Sequence, residues 1–240
     1  MEVPAFLETL SPMELRDVWD RSRVRDLNAR EILFFEGEPT PCPVVVLDGY
    51  LRLERNTPDG TRAVLGLRGP GEVLGEIPLL DGGPQPYEAN AMGSSRVLLV
   101  GPAIFERTIT DNPRATASIA AGLSMQLRWS YEVCSDRISG AAKARVAGRI
   151  LDIADVLGRV RNGAVEMAAP VTQADLAAMS GVCRESATRV VSDLKRQGAI
   201  AYSGRKLRVL RPDLLERIKC AGRGAGSSRS RRVATSRRCR

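Results

Sequence analysis

Between residues 20 and 108 apolar and polar positions alternate in short runs. "EILFFEGEPT", "CPVVVLDGYLRLERNTPDGTRAVLGLRGPGEVLGE" and "SSRVLLVG" are β-rich and separated by turn residues. Alternation with a period of two puts one face of a strand into a core and the other into water. Pro58-Asp59-Gly60, between two such runs, predicts a hairpin turn. Several short strands at this spacing predict a small barrel or roll. The period changes at Asp111. "NPRATASIAAGLSMQLRWSYEVCSDRI" opens on Pro113, which a first helical turn tolerates, and continues without another Pro. Ala120, Leu123, Leu127, Ser130 and Cys134 recur there at alternating spacings of three and four. That is the pattern of a coiled-coil seam, and it predicts a long helix that pairs with a second copy of the chain.

Residues 140 to 219 read as three helices followed by a small hairpin. "AKARVAGRILDIADVLG" is amphipathic, and "TQADLAAMS" is a short helix opened by Thr172 as its N-cap. "RESATRVVSDLKRQG" is a third, closed by Gly198 as its C-cap, and "AIAYSGRKLRVL" gives two short strands around Ser203-Gly204. In the third helix Ala187, Val190, Val191 and Leu194 share one face, so Arg184, Glu185, Thr188 and Arg189 face solvent. Gly181 stands before it, where a tight turn between helices needs a residue that accepts positive φ. These features together predict a helix-turn-helix. A recognition helix enters the major groove by its N-terminal turns. Arg donates two hydrogen bonds to guanine and Glu accepts one from cytosine, so Arg184, Glu185 and Arg189 are candidate base readers. Thr172, Ser186 and Thr188 are candidate backbone contacts near helix starts, and Arg205 and Lys206 form a candidate wing.

Charge sharpens this picture. The formal net charge is +8, from 36 Lys and Arg against 28 Asp and Glu. Residues 1 to 139 carry −6, residues 140 to 221 carry +7, and residues 222 to 240 carry +7 from seven Arg. The front is acidic and the back basic, as a nucleic-acid partner for the back half requires. After Lys219 the chain is Gly, Ser and Arg with little to bury, which predicts a disordered tail over residues 220–240.

There is no His, which removes the commonest metal ligand and general base and weighs against an enzyme. No catalytic residue and no metal site are expected. Cys42, Cys134, Cys183, Cys220 and Cys239 are odd in number and scattered, matching neither a disulfide framework nor zinc spacing. The start lacks an apolar signal region, and no run is long enough for a membrane span. A cytoplasmic protein with reduced thiols and no membrane partner is expected. Cys183 precedes the recognition helix beside Arg184, and Cys134 lies on the pairing seam, so both are candidate redox positions.

"TQADLAAMSGVCRESATRVVSDLKRQGAI" resembles the DNA-binding domain of the CRP/FNR regulators, and the likeness covers about residues 20 to 219. "VLDGYLRL" and "GPGEVLGEIPLLDGG" are similar to that family's cyclic-nucleotide-binding β-roll. The resemblance implies an α+β chain: an effector β-roll over residues 1–110, a dimerisation helix over 111–139, a winged helix-turn-helix over 140–219, and the tail. It implies a homodimer on a near-palindromic, TGTGA-like operator in double-stranded DNA, with RNA polymerase as a further partner. In the family a Gly-Glu pair holds the ribose, and Gly75 and Glu76 match it. The Arg and hydroxyl that hold the cyclic phosphate are missing, because Pro86, Tyr87 and Glu88 stand there. Ser130 matches a hydroxyl on the dimer helix that reaches the base. Gly75, Glu76, Tyr87 and Ser130 are therefore the candidate ligand contacts. No cofactor is assigned. The signal is left between thiol chemistry and a cyclic nucleotide, cAMP, held atypically. A small-ligand module whose winged domain serves a partner other than DNA is the alternative.

Overall fold

The computed structural model describes residues 6–39, 42–56, 62–204 and 206–222. The expected turn at Pro58-Asp59-Gly60, Arg205, Cys239 and the tail beyond residue 222 lie outside the described residues. After a short turn at Leu7–Thr9 the chain forms α1 (Pro12–Asp20). Ser11 and Glu14 close a reciprocal cap at its start. Eight strands follow: β1 (Ser22–Leu27), β2 (Ile32–Phe34), β3 (Val44–Asp48), β4 (Leu51–Asn56), β5 (Arg62–Arg68), β6 (Val73–Leu74), β7 (Glu88–Ala91) and β8 (Ser95–Val100). The helix α2 (Glu76–Asp81) lies between β6 and β7.

The strands form two antiparallel four-stranded sheets, in the orders β1-β8-β3-β6 and β2-β7-β4-β5. Alternation along β4 and β8 sends Leu51, Leu53 and Val97 inward against Phe34, Val44, Leu74 and Tyr87. This is the expected roll. Each such aliphatic side chain taken from water contributes about 1.5–3 kcal/mol.

The helices α3 (Pro102–Asp111) and α4 (Pro113–Ser139) leave the roll. The Asn112 side chain accepts from the backbone N–H groups of Arg114 and Ala115 and so opens α4. The helix is as long as expected. Leu123 packs towards the core formed by Phe6, Leu7, Val18 and Phe105. Ser130 is half-buried, its hydroxyl donating back to the Gln126 carbonyl at 3.0 Å. Ala120, Ser124, Leu127, Tyr131, Cys134 and Ile138 are exposed along the helix.

The back half holds α5 (Ala142–Leu157), β9 (Gly158–Arg161), β10 (Ala164–Met167), α6 (Gln173–Ser180), α7 (Arg184–Arg196), β11 (Ile200–Ser203), β12 (Lys206–Val209) and α8 (Pro212–Gly222). The four strands form one sheet, β11-β12-β10-β9. Two elements exceed the expectation from sequence. The hairpin β9–β10 turns at Asn162-Gly163, both at positive φ, and widens the wing. The helix α8 carries the chain through Cys220 to Gly222, into the stretch expected to be tail. Ile150, Ile153, Leu176, Val191, Leu194, Ile200 and Leu215 form a core that also takes in Tyr50, Val64 and Leu67 of the roll. The two halves therefore share apolar packing.

Candidate nucleic-acid interface

The start of α6 is built by Thr172 and Asp175. The Thr172 hydroxyl accepts from the Asp175 N–H at 3.1 Å, while the Asp175 carboxylate accepts from the Thr172 N–H and hydroxyl at 2.9 and 2.7 Å. Gly181 ends α6 at φ +59°, a left-handed conformation that lets the chain reverse into α7. A methyl group placed on Gly181 would stand 3.0 Å from Arg137 Nε, so the end of α4 rests against this turn. Across the turn the Thr188 hydroxyl donates to Gln173 Oε1 at 2.9 Å, tying α7 to α6.

On α7, Ala187, Val191 and Leu194 are fully buried and Val190 is half-buried. Arg184, Glu185, Thr188 and Arg189 are exposed on the opposite side. Lys143 Nζ donates to Asp193 Oδ2 at 2.5 Å and clamps α7 to α5. Cys183 caps α7 without a side-chain cap bond, its thiol donating to the Ser186 hydroxyl at 3.1 Å. The Glu185 carboxyl is held below its ordinary value of 4.5 by its own backbone N–H, then by the Cys183 thiol and by Arg184. It therefore stays an anion and an acceptor near neutral pH.

The structure brings Arg184, Glu185 and Arg189 together on one exposed face. The backbone-contact candidates are less uniform. The Thr172 residue is exposed, but its hydroxyl is used within the cap, and Ser186 is half-buried beneath Cys183. Lys206 is exposed at the start of β12, 3.9 Å from Glu166. Cys134 and Cys183 are both exposed.

Sequence reasoning missed what holds this module in place. Arg52 on β4 pairs with Glu54 and with Asp175 at the start of α6. Arg62 on β5 lies 3.3 Å from Glu54 and 3.4 Å from Asp175. Asn90 donates to Glu54 at 2.9 Å and accepts from Arg52 at 3.2 Å. A second cluster joins α4 to the back half. There Arg149 meets Asp136 at 2.7 Å and Asp152 at 2.8 Å and stacks over Trp129, while buried Lys219 lies 3.5 Å from Asp152 and 3.8 Å from Glu132. The i,i+3 pair Arg149–Asp152 could be read locally, but the links that join the segments, Arg52 to Asp175 and Arg149 to Asp136, leave no local signal.

A cavity of about 580 Å³ lies where the roll, α4 and the back half meet. Glu76 lines it, with Arg68 and Glu72 from the roll, Trp129 from α4, and Asp152 and Met179 from the back half. The other ligand candidates do not line it, although Gly75 adjoins Glu76 and the Tyr87 hydroxyl lies against the Gly75 backbone. Gly75, at φ +78°, precedes α2. Tyr87 is buried in the roll core, and its hydroxyl is pushed well above its ordinary value, first by burial and then by Glu76. Tyr87 and Ser130 do not line the cavity.

A β-roll joined through a long helix to a winged helix-turn-helix defines a two-domain DNA-binding transcriptional regulator. Comparison with known families agrees at both ends: residues 24–112 match the cyclic nucleotide-binding domain and residues 144–218 the Crp-like helix-turn-helix domain. The chain belongs to the CRP/FNR family of transcriptional regulators. It is 26% identical over 185 residues to the CRP-like cAMP-activated global transcriptional regulator of Mycobacterium tuberculosis, covering 77% of this chain and 83% of that one. It is 26% identical over 217 residues to the nitrogen fixation regulation protein FixK of Bradyrhizobium diazoefficiens, covering 90% of each. Among solved structures it is similar to a CRP/FNR-family transcriptional regulator from Thermus thermophilus, with a TM-score of 0.68 at 26% identity over 82% of this chain and 98% of that one. No helix among the described residues is long and apolar enough to cross a membrane.

Proposed function

We propose that the chain is a cytoplasmic homodimer that reads a near-palindromic operator with two copies of α7, paired along the exposed stripe of α4. The observation that carries this reading is the set Arg184, Glu185 and Arg189 on the first turns of α7, above a face anchored by Ala187, Val191 and Leu194. Two arginines and a carboxylate at that spacing suit guanine and cytosine edges, in keeping with a TGTGA-like half-site. The two helices would then sit about 34 Å apart, one turn of DNA. Thr172, Ser186, Thr188, Arg205 and Lys206 serve the backbone, and the Arg-rich tail adds affinity that falls with salt. RNA polymerase is the further partner. The domain limits at residues 110, 139 and 219 follow the same reading.

Two exposed thiols supply a redox input. Oxidising Cys183 places a bulky polar group beside Arg184, and oxidising Cys134 acts on the pairing stripe.

The test is binding selection from random duplexes, followed by footprinting. Arg189→Ala is expected to cost about 1–3 kcal/mol and to relax preference at one base pair in each half-site, whereas Lys206→Ala weakens all sequences evenly. An even loss, or none, with Arg189→Ala overturns base reading by α7 and returns the alternative of a partner other than DNA.

A further inference from the structure

The cavity between the roll, α4 and the back half has the size of a small-molecule site, for which about 300–1,000 Å³ is usual. Its walls are mainly apolar, and its charges are unbalanced. Glu72, Glu76 and Asp152 line it against a single cation, Arg68. Arg68 is already engaged, donating to the Leu67 carbonyl at 2.9 Å and lying 3.7 Å from Glu72. Asp152 is matched from behind by Arg149 and Lys219, which also meet Asp136 and Glu132. Across cavity and backing cluster these are five carboxylates against three cations.

Glu76 is the member with an unmet oxygen: burial raises its carboxyl above the ordinary 4.5, against the partial support of its own backbone N–H and Arg68. It is 5% exposed, and its Oε2 has no hydrogen-bond partner among the described residues. A buried carboxylate oxygen in that state calls for a donor or a cation. An anionic phosphate meets the opposite condition. The one cation in its lining, Arg68, is already shared with the Leu67 carbonyl and Glu72.

We infer that the cavity takes an apolar amine, its body against Leu67, Ile119, Leu123 and Met179 and its ammonium at Glu76, in place of a cyclic nucleotide. Trp129 offers a ring to which a cation is drawn, and Met125 and Met179 adapt to the shape of the body. Because Asp152, Val156 and Met179 belong to the back half, the bound amine touches the reading module as well as the roll. This inference rests on the reading of the front half as the sensing part of a regulator.

Naphthylethylamine, naphthylethanol and naphthylacetate share one apolar body and differ in charge. Each is titrated calorimetrically into the full chain, with cAMP as a fourth probe. The amine is expected to bind at least about tenfold more tightly than the other three. Glu76→Gln is expected to abolish that preference while the alcohol still binds, which shows that the variant is folded. Tighter or equal binding of naphthylacetate, naphthylethanol or cAMP, an unchanged amine affinity in Glu76→Gln, or no saturable amine binding overturns the assignment. Footprinting of the ligand-free chain separates the two readings. Operator protection without amine binding sinks this inference alone, and amine binding without sequence-selective protection sinks the regulator reading alone.

Discussion

Replacing Arg52 with Met tests whether the reading module rests on the roll through buried charge. The Arg52 side chain is 14% exposed, and the Glu54 and Asp175 side chains that it joins are 4% and 5% exposed. Without it the cation left to both carboxylates among the described residues is Arg62, 42% exposed and more than 3 Å from each, although Glu54 keeps the Asn90 amide and Asp175 the Thr172 cap. Breaking a buried ion pair from one side costs about 3–5 kcal/mol, because the charge left behind has lost both water and partner. The residual pairing with Arg62 puts the expected loss near the lower end, about 3 kcal/mol. Asp175→Asn keeps a carbonyl for the Thr172 cap while removing the charge, so its effect isolates the pair. Combined with Arg52→Met it should cost less than the sum of the single variants, by about 1–3 kcal/mol. Urea unfolding reads these losses, followed by fluorescence of Trp129 at the junction in a Trp19→Phe background and at fixed protein concentration. Additive single effects would show that α6 does not rest on β4 in solution, and the docked arrangement would have to be abandoned.

Gly181→Ala should destabilise the back half by about 1–2 kcal/mol, the cost of a left-handed conformation for a residue with a Cβ. The added methyl also meets Arg137, so operator affinity should fall as α7 shifts, and Gly181→Asn should recover part of the loss; thermal unfolding and gel shift read both. The clamp between Lys143 and Asp193 gives a pH signature. Hydrogen bonds from Lys143, then Gln197 and Arg196, hold the Asp193 carboxyl at about 2, below its ordinary 3.8. A depressed acid supports the fold fully above the higher value and loses that support as pH falls through the lower one. Asp193→Asn should therefore flatten the fall in melting temperature between those two values, and an unchanged acid profile would show that the clamp is not formed.

The exposed face of α7 was legible because everything that defines it lies within a few turns of one helix: an apolar period, a glycine that tolerates positive φ, and two arginines around Glu185. The roll was legible for the same reason, through its alternating strands. The packing of Leu123 against the roll was not, since a three-four repeat along α4 carries no record of the neighbouring sheet. The β9–β10 hairpin could have been read from Asn162-Gly163, a turn dipeptide between alternating residues. Likewise α8 could have been read from Pro212 and the spacing of Leu214, Leu215 and Ile218, but the run of Arg, Gly and Ser beyond it dominated the composition. The link between Arg52 and Asp175 joins residues 123 positions apart. No periodicity carries that information.

The two charge clusters lie on either side of the same module, and their energetics explain their use. Buried ion pairs add little net stability compared with apolar packing of the same volume, yet they penalise every arrangement that separates the partners. Arg52 and Asp175 fix α6 against the roll, while Arg149, Asp152 and Lys219 fix α5 and α8 against the end of α4. The position of α7 is therefore supported by charged contacts as well as by the apolar core and the Lys143–Asp193 clamp. Asp152 also lines the cavity, and Trp129, which lines it too, stacks on Arg149. An occupant of the cavity touches the second contact directly, so its effect on DNA binding reduces to which orientation of the α5 and α8 pair leaves Asp152 paired. A ligand that bound both orientations equally would leave the operator affinity where it was, however tightly it bound.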